Sequence, residues 1–201
     1  MQIGAIILAA GSSARMGAFK PLLSIGPKTF LGHTFSLFQE RGIEDIVVVT
    51  GHQSRDLQEE LNRYPCRSIR NEKYRDGMFS SVQIGVRSLD TASDAFFLLP
   101  VDIPLVRQDT IEQLLEAMAR DPDSLIFYPE YHLRRGHPPL IRRDLADDIL
   151  KYADQGGLRA LFRGYRQQSR NVPVEDPYIL LDVDTPEDLA LLREHYLKNS
   201  R

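Results

Sequence analysis

A single cysteine, Cys66, stands among the 201 residues, so no intramolecular disulfide can form and the thiol reads as a small core side chain. A basic excess is also missing. Twenty-five Lys and Arg against 28 Asp and Glu leave a net charge of −3, which argues against a dedicated nucleic-acid binder and confines any anion site to a local patch. No stretch approaches the roughly 18 apolar residues of a membrane span. The N-terminus has neither a basic n-region nor a small-residue cleavage site after its short apolar run, so the expectation is a cytoplasmic chain without a membrane partner. His33, His52, His132 and His195 are scattered without metal-ligand spacing, which leaves no zinc site to expect. With no repeat, low-complexity segment or linker, residues 1–201 are expected to form one domain.

Two common phosphate-binding signatures are absent as well. Walker A requires G-x-x-x-x-G-K-[ST], but Gly11 and Gly17 have five residues between them rather than four, and Ala18 follows Gly17. G-x-G-x-x-G is missing, and with it the reason to expect a nicotinamide or flavin. What is present is the stretch Leu8-Ala9-Ala10-Gly11-Ser12-Ser13-Ala14-Arg15-Met16-Gly17-Ala18-Phe19-Lys20, directly after an apolar run over residues 3–8 that reads as a buried strand. Small residues let backbone N–H groups approach phosphate oxygens, and Arg15 and Lys20 supply charge that a triphosphate would neutralise.

Strand and helix signals then alternate. Leu31, Thr34, Phe35 and Phe38 mark one face of a helix ended by Gly42. Residues 46–50 are β-branched and apolar, 55–62 suit a short helix and 66–70 a short strand. Val82, Gly85, Val86 and Leu89 repeat the helical face, and 95–99 is a continuous apolar run suited to a parallel sheet. Asp109 and Glu112 suggest a capping box for a helix with Ile111, Leu114, Leu115 and Met118 inward. Residues 125–128 read as a strand and 131–139 as irregular. Helices follow over 144–152 and 158–163, with strands near Val172 and over 179–182. Thr185, Pro186 and Asp188 then open a last helix with Leu189, Leu192 and Tyr196 inward. The alternation implies an α/β fold of three layers, α/β/α, Rossmann-like, around a mainly parallel sheet.

In an open parallel sheet, ligands sit outside the carboxyl ends of the strands, and three aspartates are expected there. Asp102 follows one apolar run, in a loop stiffened by Pro100 and Pro104, and Asp182 and Asp184 follow another. Two carboxylates beside a phosphate loop suit Mg²⁺, which completes its shell with phosphate oxygens and water. The alternative for Asp184 is a favourable place before a helix N-terminus. Gly77 and Ser81 lie where a helix opens and could read a base edge, or Ser80 or Ser81 could be a plain N-cap. Arg159, Arg163, Arg166 and Arg170 form a basic stripe that Gly164 interrupts. Such stripes are commonly solvated. Arg159, after the pair Gly156-Gly157, is the member expected to meet an anionic substrate. His137, among prolines, is either structural or a substrate contact.

The loop matches L-A-A-G-x-S-x-R-M-G-x-x-K and resembles the signature of the MobA-like NTP transferases, within which the chain is most similar to the molybdenum cofactor cytidylyltransferases. The D-x-P context of Asp102-Ile103-Pro104 and the D-x-D-T-P-E-D segment from Asp182 to Asp188 resemble that family's metal-binding segments. The resemblance leaves Asp182 and Asp184 as alternatives, with Asp184 preferred. It also places Gly77 and Ser81, from a similar G-M-x-x-S stretch, beside the nucleotide base. Ala10, in place of the second Gly of the guanylyltransferase loop, implies CTP, and segments similar to the family's G-H-P and G-A-R place His137 and Arg159 at the acceptor.

The function so implied is Mg²⁺-dependent nucleotidyl transfer. A phosphate monoester attacks the α-phosphorus of CTP, and pyrophosphate leaves in line. Arg15 holds the β- and γ-phosphates, Lys20 meets charge growing at the α-phosphorus, and Asp102 and Asp184 bind the metal. If the resemblance extends to the substrate, the acceptor is the terminal phosphate of molybdopterin, and a protein partner receives the modified cofactor. Pro100 and Pro139 depart from the family pattern at the metal and acceptor segments. The alternatives are a guanylyl- or sugar-phosphate nucleotidyltransferase, or a nucleotide-binding delivery protein without turnover.

Overall fold

A computed structural model describes residues 1–13, 15–153 and 156–199. The chain begins with β1 (Ile3–Ala9), passes through the small hairpin β2 (Ser24–Ile25) and β3 (Lys28–Thr29), and enters α1 (Phe30–Gln39). Then come β4 (Asp45–Thr50), α2 (Gln58–Leu61), β5 (Arg67–Arg70), α3 (Met78–Ser88), β6 (Ala95–Pro100) and α4 (Gln108–Arg120). The second half holds β7 (Ile126–Tyr131), β8 (Arg134–Arg135), β9 (Leu140–Arg142), α5 (Ala146–Lys151), α6 (Gly157–Arg163), β10 (Ser169–Pro173) and α7 (Pro186–Asn199). No helix among the described residues is long and apolar enough to cross a membrane.

The main sheet runs in the order β10-β7-β9-β6-β1-β4-β5, with β8 paired to β7. β1 lies between β4 and β6 and is parallel to both, whereas β9 is antiparallel to β6 and β7. The sheet is therefore mixed and mostly parallel, as expected. Side chains alternate across it. Ala5, Ile7 and Ala9 join a core with Phe30, Phe35 and Phe38 of α1. Ile6 and Leu8 face the other way, onto Val82 and Val86 of α3. Two apolar layers thus fix the height of β1, and with it the start of the loop at its carboxyl end.

Three local expectations are corrected. Residues 179–182 contain no strand; Pro177–Leu180 form a 3₁₀ turn that buries Tyr178 and Ile179. Asp109 and Glu112 do not cap α4. That duty falls to Asp176, almost fully buried, which accepts from Arg107 N and from Thr110 Oγ1, both at 2.8 Å. Cys66 is half-buried at the margin of the core, and desolvation pushes its thiol pKa up.

The last helix opens as its sequence signals. Thr185 Oγ1 accepts from Asp188 N at 3.2 Å, and Asp188 Oδ2 accepts from Thr185 N at 2.8 Å, a reciprocal cap.

Candidate active site

The register of β1 and β6 places Leu8 beside Pro100, so both strands release their loops at the same edge of the sheet. The loop after β1 folds on Ser13, which has φ 53°. Its hydroxyl accepts from Lys20 N at 3.1 Å, and its carbonyl accepts from Met16 N at 3.1 Å. Gly51 lets the neighbouring backbone close on this loop, since a Cβ there would stand 2.9 Å from Ala10 Cβ. Ala14 lies outside the described residues.

Lys20 is almost fully buried, and its ammonium joins the site. Nζ donates to Asp184 Oδ1 at 2.7 Å and to Asp102 Oδ2 at 3.0 Å. Burial works to lower its pKa, but the hydrogen bonds and charges of the two aspartates outweigh that and leave it raised. The hydrogen bond from Lys20 in turn holds Asp184 below the usual carboxylate range. Arg15, largely exposed, pairs with Asp184 Oδ2 at 2.6 Å. The backbone completes the arrangement: Val183 N donates to Asp102 O at 2.9 Å, so the segment bearing Asp184 is tied to the residue it faces.

Asp102 and Asp184 thus converge on one positive charge, and their oxygens could equally hold a hard divalent cation. No group of three or more His, Cys, Asp or Glu suited to a metal exists among the described residues. A cation held here would need further oxygens from phosphates and water, a demand that suits Mg²⁺. Asp182 is exposed, and its charge acts on His137 rather than on Lys20.

Beside this centre is a pocket of about 170 Å³. Leu8, Ala9, Ala10, Gly11, Ser13 and Ser81 line it, together with Lys20 and Asp102. Ser12 and Arg15 lie outside it, and Gly77 belongs instead to a larger cavity of about 1100 Å³ that shares the wall Leu8, Met78 and Pro100. His137 and Arg159 line that cavity too. Ser80 and Ser81 fall inside α3, so neither is its N-cap. Both hydroxyls accept from Asn71 Nδ2, at 2.8 and 2.9 Å, which aims Ser81 from a fully buried amide.

Asn71 and Tyr74, which lines the smaller pocket, escaped the sequence reading. They sit just upstream of Gly77 in a segment without periodicity, and only their place before a glycine-led helix hints at them.

His137 is mostly buried, and its Nδ1 has no hydrogen-bond partner. Desolvation lowers its pKa, against a hydrogen bond with the Leu98 backbone and the charges of Asp102 and Asp182. The ring is therefore neutral near pH 7. Arg159 is exposed and has no ion pair among the described residues.

The chain is 29% identical to the molybdenum cofactor cytidylyltransferase of Escherichia coli K12 over 199 residues, covering 96% of this chain and 97% of that protein. It is 31% identical to the bifunctional protein GlmU of Syntrophomonas wolfei over 119 residues, spanning 58% of this chain but only 26% of that longer protein. In structure it is similar to a nucleotidyl transferase from Methanothermobacter thermautotroptrophicus, with a TM-score of 0.83, 24% identity, and coverage of 98% and 99% of the two chains. The MobA-like NTP transferase domain profile matches residues 5–172, and the chain accordingly belongs to that family of nucleotidyltransferases.

Proposed function

We propose that the protein transfers CMP from CTP to a phosphorylated acceptor, with molybdopterin as that acceptor, and releases pyrophosphate in the cytoplasm. The observation that carries the reading is the meeting of Lys20, Asp102 and Asp184 on one point beside the loop after β1. The full-length likeness to a cytidylyltransferase supports the choice of CTP. A protein that receives the modified cofactor is a further expectation of the same reading.

Backbone N–H groups and the Ser13 hydroxyl hold the triphosphate along the loop, and Arg15 swings from Asp184 to the β- and γ-phosphates. Lys20 follows the charge that gathers around the α-phosphorus. An acceptor phosphate oxygen attacks that phosphorus, the new O–P bond forms, and the bond to the β-phosphate oxygen breaks with its electron pair leaving on pyrophosphate. The acceptor dianion is already ionised near neutral pH, so no strong base is required and rate comes from placement and charge neutralisation. Mg²⁺ held by Asp102 and Asp184 would supply positive charge to the α-phosphate and the incoming oxygen. Ser81 and Gly77 border the base, and His137 and Arg159 the acceptor.

A thermal-shift panel of CTP, GTP, ATP and UTP with Mg²⁺ tests the nucleotide. The preferred one should stabilise by about 2.7 kcal/mol at a hundredfold excess over Kd. Pyrophosphate release with an acceptor then tests turnover, which Asp102→Ala should abolish. Full activity in that variant would remove the metal assignment, and a shift with GTP alone would reassign the base.

A further inference from the structure

The basic stripe divides in the fold. Arg170 leaves it for Asp121, with Nη1 2.9 Å from Oδ2. Arg159, Arg163 and Arg166 line the larger cavity instead, and none of them forms an ion pair among the described residues. Arg135 joins them from β8. Its guanidinium lies over Tyr128 at 4.3 Å from the ring centroid, and its Nε donates to Asn171 Oδ1 at 2.7 Å. Glu130 accepts from the other side of that Asn171 amide. The single carboxylate on the described lining is Asp76, in the turn that precedes α3.

A solvated basic face would be convex and laced with carboxylates. This one is concave, carries four guanidinium groups against one carboxylate, and continues into an apolar floor of Phe79, Val82, Leu98 and Phe162. Its shared wall with the Lys20 pocket lets one ligand run from the reaction centre to the arginines. In a chain of net charge −3, a local basic concavity also sets where an anion can settle.

Resting on the nucleotidyl-transfer reading, we propose that the acceptor carries a second anionic group besides its attacking phosphate. Arg159, Arg163, Arg166 and Arg135 form the subsite that holds it, and the acceptor body lies on the apolar floor between. Guanidinium forks bind planar or tetrahedral oxyanions in two-point contacts, so the second anion fixes the acceptor's direction as well as its affinity.

The test titrates the full chain with alkyl monophosphates and the matching α,ω-bisphosphates of four to eight carbons, with a methylene analogue of CTP present. At one chain length the bisphosphate should bind about tenfold more tightly than its monophosphate, the value of one charge-assisted pair. In Arg163→Ala and Arg166→Ala that advantage should shrink to about twofold, with monophosphate affinity and thermal unfolding unchanged. No bisphosphate advantage at any length, or one untouched in both variants, overturns the proposal. The thermal shift with CTP is read in the same samples. Loss of that shift with the advantage intact would count against nucleotidyl transfer and leave the anion subsite standing.

Discussion

The ammonium nitrogen of Lys20 lies 2.7 Å from Oδ1 of Asp184, joining residues 164 positions apart in the chain. With Asp102 at 3.0 Å, it fills the place where a divalent cation would share the same oxygens. Lys20→Met should therefore tighten Mn²⁺ binding in nucleotide-free protein, read by titration calorimetry, because the two carboxylates lose the counter-charge they share and only Arg15 remains, on Asp184. The same variant should lose about 10²–10³ in turnover. Unchanged Mn²⁺ affinity would mean that the two aspartates do not form a cation seat.

Asp182 and Asp184 separate cleanly by position, one exposed and the other bound by Lys20 and Arg15. Asp184→Asn should lower the rate of pyrophosphate release by at least about a hundredfold, whereas Asp182→Asn should stay within a few-fold of the parent. Equal losses would reopen the choice between them.

Gly136 is pressed against the 3₁₀ turn that carries Ile179. A Cβ at residue 136 would lie 2.6 Å from Ile179 Cγ1 and closer still to the Ile179 carbonyl oxygen, which cannot rotate away. The next residue, His137, donates its N–H to that same carbonyl at 2.9 Å. Gly136→Ala should cost about 2 kcal/mol in chemical denaturation and raise the acceptor KM, with CTP binding preserved. Unchanged stability would show that the turn gives way freely.

Asp121 ties the end of α4 to β10. The hydrogen bond from Arg170, followed by those from Ser124, holds its carboxyl down to about 2, against 3.8 unfolded. A depressed folded pKa adds stability that is complete above the unfolded value and lost as pH falls from there toward 2. Arg170 is half-exposed, so solvent reduces the contribution to about 1 kcal/mol. Unfolding measured at pH 5 and pH 2.5 should show the parent losing more stability than Asp121→Asn. Parallel losses would assign the acid sensitivity elsewhere.

Much of this was readable from the sequence because the signals are local. The loop 8–20 carries its chemistry in consecutive residues, and the Thr185–Asp188 cap closes within one turn. Where the controlling partner is distant, the reading failed. Asp176 caps α4 from 66 residues beyond Thr110, a relation no window can hold. The apolar run from Ile179 looks like a strand, yet Pro177 and the Asp176 side chain start a 3₁₀ turn whose residues fill the core. Short β9 was missed because three residues between a proline pair and a turn carry no period. The fate of the arginine stripe was likewise undecided until Asp121 claimed Arg170.

The hydrogen bond from Val183 to the Asp102 carbonyl also bears on how the protein is made. Synthesis runs from the N-terminus, so the loop after β1 and the strand leading to Asp102 emerge long before residue 184. Until the later segment docks, Lys20 faces one carboxylate instead of two. A nascent or prematurely terminated chain could build much of the sheet and remain inert, so activity marks the completion of folding rather than its onset.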